Sequence, residues 1–331
     1  MTGQSAPGST PLVSVVIASH NQARFLGESI ESALGQTHPR VEVVVVDDGS
    51  TDESPAIAAR YPGVRVIRQE NAGVSAARNV GVAASSGEFV VFLDSDDRLP
   101  PAALEAGVRE LAAEPDAAFA AGRYRLIDAE GAPGRVYDWD IWGRMTTPIY
   151  DRLVRWNFIG MLAAVMFRRE ALPPEPFDRS LAGAEDWELF LRIAREKPVR
   201  LYDGIVAEYR RYGTTVSRNA ALMLACSLAV LDRQRGWVRA HREFVTAFHE
   251  GVARHRAWYG DRIVDDVLSS LRNPSLRATV PSKVAMLARH YPLGAVRRVA
   301  GRVAGRVAGQ VSGRAISLVP LLEGLESIAF V

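Results

Sequence analysis

The sequence predicts an α/β fold: a mainly parallel sheet flanked by helices, followed by a mostly helical C-terminal region. Three observations predict it. Short apolar, β-branched runs recur at Leu12–Ala18, Val41–Val46, Val64–Arg68 and Glu88–Leu93. They are continuous rather than alternating, which suits strands covered on both faces. Helical patterns at Ala23–Leu34, Ser54–Arg60 and Val74–Ala84 separate them, the order of right-handed βαβ crossovers. From about Asn219 the strand signals fade and helical periodicity dominates to the end.

Residues 1–11 are small, polar and contain Pro and Gly, and are expected to be disordered. A further helix is expected over Pro101–Ala113, proline being favoured in a first turn. Residues 117–170 mix strand-like pieces with an aromatic segment, YDWDIW at 137–142. Ala184–Arg195 reads as a helix and Val199–Tyr212 as one or two strands. A boundary is placed near 218, giving an α/β unit over 12–218 and a helical region over 219–331. Within the latter, GRVA-GRVA-GQVS-GR at 301–314 sets Val303, Val307 and Val311 on one slowly drifting stripe. Glycine at every fourth position costs about 1 kcal/mol each against alanine, so this helix needs a supporting surface.

Composition narrows the class. The chain has 331 residues, 48% hydrophobic and 24% charged, with net charge +2, ordinary for a globular protein and unlike disordered or collagen-like chains. The lone Cys226 cannot form an intrachain disulfide, which fits a reducing compartment. No 18-residue apolar run and no secretory signal pattern are found, so a cytoplasmic location is expected. Charge is segregated, however. Asp266 and Glu323 bracket a stretch with no acid and nine basic residues, from Arg272 to Arg314. Two readings stay open for this basic tail, 267–320: docking at an anionic membrane on the inner face of the cell membrane, or packing on the rest of the chain or on a second copy. No nucleic-acid partner is expected.

The chemistry-bearing strings lie at strand ends, where α/β sheets hold ligands. DDGSTD (47–52) follows the second strand: Asp47 or Asp48 can accept hydrogen bonds from a nucleoside, or the string is a simple turn with Gly49 at the bend and Asp52 capping the next helix. DSDD (94–97) follows EFVVFL. Three carboxylates in four residues repel one another, and a hard cation with phosphate oxygens relieves this; an acidic turn is the alternative. Asp94 and Asp96 alternate, so in an extended segment they point the same way. Arg78, in NAGVSAARN, is either a diphosphate partner or a solvated helical arginine. Arg210, Arg211 and Arg218 are further cations able to close over phosphates. In GAEDWELFLR (183–192), Glu185 and Asp186 either satisfy a helix dipole or include a general base. GxGxxG after a strand, GxxxxGK[ST], GxSxG and HExxH are all absent.

Taken in order, VSVVIASHNQARFL (13–26), VVVVDDGSTDES (43–54), NAGVSAARNVGVAASSGEFVVFLDSDD (71–97) and GAEDWELFLR (183–192) resemble a family 2 glycosyltransferase over about residues 12–218. The resemblance implies a GT-A fold and inverting transfer of a sugar from a UDP-, dTDP- or GDP-sugar to a hydroxyl of a glycan or lipid-linked acceptor. By family habit the setting is cell-surface polysaccharide or glycolipid assembly. It implies a nucleoside at Ala18, Ser19, His20 and Asn21 with Asp47 and Asp48. It implies a diphosphate near Arg78, Asp94 and Ser95, and Mg²⁺ or Mn²⁺ on Asp94 and Asp96. Asp186 is the implied base and Glu185 positions the acceptor. Trp139, Trp142 and Trp187 are candidate acceptor contacts, with core packing as the alternative for the aromatic loop and for Trp187, which with Phe190 and Leu191 can face the core. Two motifs depart from the family: Ala18-Ser19-His20-Asn21 stands where Pro-x-Tyr-Asn is common, and Tyr212 lies near the place of a usual histidine, so a third metal or diphosphate contact is absent or passes to a nearby arginine. A sugar nucleotidyltransferase or a non-catalytic nucleotide-sugar-binding module are the rival readings.

Overall fold

A computed structural model describes residues 10–137, 149–213 and 218–310, with side chains as far as Arg302. Among the described residues eight strands form one sheet: β1 (Val13–Ser19), β2 (Val41–Asp48), β3 (Val64–Gln69), β4 (Phe89–Asp94), β5 (Phe119–Ile127), β6 (Pro133–Val136), β7 (Val165–Arg168) and β8 (Arg200–Arg210). The helices are α1 (Leu26–Leu34), α2 (Ser54–Ala58), α3 (Val74–Ala83), α4 (Ala103–Ala113), α5 (Tyr150–Arg155), α6 (Glu185–Ala194), α7 (Ala220–Ala240), α8 (Val245–Arg272), α9 (Val280–His290) and α10 (Pro292–Gln310).

The first half of the sheet runs β3-β2-β1-β4, all parallel, as the apolar runs and intervening helices predict. β1 is buried along its whole length, and α3 lies so close that a Cβ on Gly81 would come within 2.3 Å of Val16. β3 departs from the expectation of full burial. It is the edge strand, and its residues are partly or fully exposed. Beyond β4 the sheet becomes mixed. β7 runs antiparallel to both β4 and β5, β6 is antiparallel to β5, and β8 returns parallel to β5. Thus the irregular centre of the sequence supplies the antiparallel half, and Val199–Tyr212 resolves into the single strand β8. α1 starts three residues later than expected, because Gln22–Phe25 form a turn first.

No gap in the core marks residue 218. One apolar cluster joins Phe92 and Phe167 of the sheet, Trp187 and Phe190 of α6, Val230 and Val238 of α7, and Phe248 of α8. α8 also places His255 between two tryptophans, its ring centroid 4.6 Å from that of Trp187 and 4.7 Å from that of Trp156. Both ring nitrogens are buried without a partner. Burial, then the Arg254 charge, push the imidazole down from 6.5 to about 3. Between those values the unfolded chain binds a proton that the folded chain refuses. Stability therefore falls as pH drops below 6.5, by at most about 1.4 kcal/mol per pH unit from this group. His255→Phe should lose that component in urea titrations at pH 7 and pH 5. An unchanged difference between the two pH values would clear His255 of the effect.

The basic tail is partly answered from within. Arg298 reaches Asp265 at 3.0 Å and Asp261 at 3.7 Å, Arg302 reaches Asp265 at 2.7 Å, and Lys283 lies 3.9 Å from Asp266. α9 and α10 therefore pack on α8. None of the described helices is long and apolar enough to cross a membrane.

Candidate active site

The carboxyl-terminal ends of β1, β2, β4 and β8, helix α3 and the amino-terminal end of α6 supply most of the residues singled out by sequence; Trp139 and Trp142 lie outside the described residues. The loops after β1 and β2 are tied together. Asn21, at φ 52°, donates its backbone N–H to Ser50 Oγ at 2.9 Å, and its side-chain oxygen accepts from Thr51 N at 2.8 Å. The His20 ring lies 2.8 Å from the Asp48 carbonyl and 3.1 Å from Asn71. Gly49 turns the chain at φ +72°, where a Cβ would stand 2.8 Å from Asn71 N, so only glycine fits the bend. Asp52 accepts from Ser54 N at 2.9 Å at the start of α2.

Both aspartates at the end of β2 are buried and engaged by the protein. Asp48 accepts from Ala72 N and Gly73 N, both at 2.9 Å, and from Gln69 at 2.7 Å. Its carboxylate thereby fixes the approach to α3. Asp47 accepts from Ser50 N at 3.2 Å and faces Arg68 at 3.3 Å. Both Asp48 oxygens are thus taken up by the protein, whereas Asp47 Oδ2 is buried without a hydrogen bond. Ala18 and Ser19 are buried beside them, the Ser19 hydroxyl without a partner.

The acidic string after β4 is a turn, closed by Asp97 N donating to Asp94 O at 3.0 Å. The alternation expected of an extended segment therefore does not apply. The Ser29 hydroxyl bridges the turn, 2.9 Å from Asp94 O and 2.8 Å from Asp97 O. Burial and then the Asp94 charge push Asp96 up from the ordinary carboxylate range. Burial and the charges of Asp96 and Asp94 raise Asp97 further. One Asp97 oxygen accepts from Arg210 N at 2.7 Å, and the other is buried with no partner. Tyr212 Oη lies 3.0 Å from Asp96 Oδ2 and 3.1 Å from Gln22 Oε1, so its one proton serves one of two acceptors.

Arg78 joins this turn to α6. It is only 5% exposed, and its two terminal nitrogens each donate at 2.6 Å, to Asp94 Oδ1 and to Glu185 Oε1. Burial opposes its charge, but Asp94 and Glu185 outweigh that and hold it more basic than usual. It is therefore not a solvated arginine, one of the two readings the sequence allowed. Next to Glu185, Asp186 is partly buried and accepts from Trp187 N at 2.6 Å. Burial, then the Glu185 charge, raise its carboxyl to about 7, the range useful to a general base. Ala184 opens the helix in a left-handed conformation, φ 60°, a strained backbone of the kind found at functional sites.

Two expectations need correction. Trp187 is 1% exposed, its indole N–H donates to Leu153 O at 2.8 Å, and its ring stacks on His255. It anchors α6 to the core and cannot touch an acceptor. Arg210 is wholly buried, not free to close over phosphates. Its guanidinium donates to Asp96 O at 2.8 Å, Ala129 O at 3.0 Å and Glu28 at 2.7 Å, and its centre lies 4.6 Å from the Phe25 ring centroid. Sequence reasoning missed the network behind it, in which Glu208 accepts from Arg98 and Arg125 while Glu28 accepts from Arg98 and Arg210. The available signal was Glu208 and Arg210 two apart on one strand, hence on one face.

The donor set suits a hard divalent cation: carboxylate oxygens crowded enough to favour protons over bare charge. Among the described residues no group of three or more His, Cys, Asp or Glu side chains converges on one metal position. Two carboxylates leave room for phosphate oxygens, which matches how Mg²⁺ is usually held with a nucleotide.

Four parallel strands with loops gathered at their carboxyl-terminal ends, an acidic turn after β4 and a mixed half sheet define a GT-A-like α/β protein. The fold matches two solved structures at low sequence identity. Staphylococcus aureus TarS in complex with UDP superposes with a TM-score of 0.56 at 17% identity, covering 88% of this chain and 92% of that one. The mannosyltransferase PcManGT from Pyrobaculum calidifontis in complex with GDP-Man and Mn²⁺ gives 0.58 at 19% identity, covering 92% and 82%. Residues 14–173 match the sequence model described as glycosyl transferase family 2. The putative teichuronic acid biosynthesis glycosyltransferase TuaG of Bacillus subtilis is 30% identical over 217 residues, 63% of this chain and 82% of TuaG. Chondroitin synthase of Escherichia coli is 33% identical over 196 residues, which is 57% of this chain and 27% of that much longer protein. The chain belongs to glycosyl transferase family 2.

Proposed function

We propose that this protein transfers a sugar, with inversion, from a UDP-, dTDP- or GDP-sugar to a hydroxyl of a glycan or lipid-linked acceptor during cell-surface polysaccharide or glycolipid assembly. The observation that carries the reading is the Arg78 bridge, which brings the acidic turn and the α6 carboxylates within the span of one guanidinium. The surface-glycan setting draws on TuaG, whose name places it in teichuronic acid biosynthesis.

In this reading the loops at Ala18–Asn21 and Asp47–Asp48 seat the nucleoside, and Ser95 lies by the diphosphate. Asp94 and Asp96 are the side chains that would hold Mg²⁺ or Mn²⁺. A divalent cation there supplies neutralisation for the nucleoside diphosphate as it leaves. Asp186 takes the proton of the acceptor hydroxyl as its oxygen bonds to the anomeric carbon and the bond to the diphosphate breaks. Glu185, fixed by Arg78, positions that hydroxyl.

Nucleoside diphosphate release from a panel of the three donor classes, with Mg²⁺ or Mn²⁺ and an oligosaccharide acceptor, tests the reaction. Release with no donor of the panel would defeat it only if direct binding also failed, so binding is titrated in parallel. Asp96→Ala should weaken donor binding at least tenfold and remove its dependence on the cation. Unchanged metal dependence in that variant would sink the assignment of Asp96.

A further inference from the structure

α10 leans on α8 through Ala295, which packs against the Ile263, Val264 and Leu287 cluster, and through surface ion pairs of Arg298 and Arg302 with Asp261 and Asp265. Leu293 and Val296 point outward, 58% and 51% exposed. A helix packed on a water-soluble core normally keeps its large apolar residues off the solvent side. Val299 of α10 is exposed as well, as are Leu271, Leu276 and Val284 in the segments before it. Exposed arginines are interleaved with them, at Arg272, Arg277, Arg289 and Arg297. No acid occurs between residues 267 and 322, and the nearest acids, Asp261, Asp265 and Asp266, face Lys283, Arg298 and Arg302.

We propose that the outer face of Leu271–Ala300 docks on an anionic lipid surface, with Leu293, Val296 and Val284 entering the interface and the arginines meeting headgroup phosphates. Charge complementarity selects this occupant. A second copy of the chain would set one acid-free cationic face against another. Nucleic acid would meet the arginines but leaves the leucine and valine stripe unexplained. Apolar side chains flanked by arginine are what an interfacial helix needs, the one burying area below the headgroups and the other binding their charge. Exposure of this stripe in water is then a feature of the unbound state.

The inference does not depend on the transfer reaction, and its test uses neither donor nor acceptor. Full-length protein is sedimented with vesicles of phosphatidylcholine alone and with 30% phosphatidylglycerol, at about 0.1 and 0.5 M salt. At least tenfold stronger partition onto the anionic vesicles, weakened by salt, is expected. Each of Arg272→Gln and Arg289→Gln should lower partition about fivefold, the equivalent of about 1 kcal/mol per charge. Leu293→Ser/Val296→Ser should abolish detectable binding while the thermal melt stays unchanged. Equal binding to neutral vesicles, or full binding by the serine double variant, overturns the proposal. So does a vesicle-free dimer that the same double variant dissolves, which would give the face to a second copy.

Discussion

Asp186→Asn should lose transfer by about a thousandfold while binding donor nearly as well as the parent and melting at a higher temperature. General-base groups contribute about 10²–10⁴ in rate, and asparagine keeps the oxygen that accepts from Trp187 N but cannot take a proton. The stability gain follows from the sign of the shift. Burial and the Glu185 charge lift Asp186 from 3.8 to about 7, so the folded protein holds that proton more tightly than the unfolded chain. The stability this provides is present at low pH and is lost as pH rises through about 7. At pH 8 the ionised carboxylate therefore costs the fold something on the order of 1–4 kcal/mol, which a neutral amide escapes. The parent should also show an acidic limb in its pH–rate profile, with rate rising up to the region of 7 as the base becomes free. A variant that kept a tenth or more of the parent turnover would remove Asp186 from the role. One that melted lower at pH 8 would show that the carboxylate contributes more to packing than it costs in charge.

Arg78→Met is the second large effect, and it acts first on stability. Removing one partner of a buried ion pair leaves a charge without compensation, typically at about 3–5 kcal/mol; here that charge is Glu185, while Asp94, 39% exposed, is largely answered by solvent. A fall in melting temperature of roughly 6–15 °C is expected for a chain of this size. Arg78→Lys should rescue little, because an ammonium is a point charge and cannot reach two carboxylates as a planar fork does. Adding Glu185→Gln to Arg78→Met should restore a good part of the lost stability, since one stranded charge is then gone. If the double variant is as unstable as the single one, the loss lies in packing against Phe177, whose ring centroid is 5.3 Å from the guanidinium, and not in charge.

How far the sequence was legible depends on the range of the forces involved. β1, β2 and β4 could be read because full burial writes a continuous apolar run into the chain. The edge position of β3 could not, since it depends on which strands pair beyond it. β5 to β8 mix Arg, Gly and Tyr with apolar residues, and their pairing is set by contacts between residues far apart in the chain. The site shows the same division. Its candidate acids were found because they follow strands directly. The partner of Arg78 was not, because Glu185 lies 107 positions away and an unbound phosphate and a distant carboxylate look alike from the arginine's own neighbourhood. Trp187 was legible in principle: Trp187, Phe190, Leu191 and Ala194 follow helical spacing on one face, and that pattern outweighs an aromatic's suitability for sugar.

The stacking of His255 against Trp187 bears on how this chain can be recombined. The helix that carries the proposed base leans on a helix contributed from beyond residue 240, so α7 and α8 are buttresses of the chemistry rather than an accessory module. A chimera that exchanged everything after residue 218 with a relative would remove the wall behind Asp186. A seam at Asn273, where α8 ends and a 3₁₀ turn over Pro274–Thr279 leads into α9, would spare that wall, provided the graft keeps the packing of Leu287 on Ile263 and Val264.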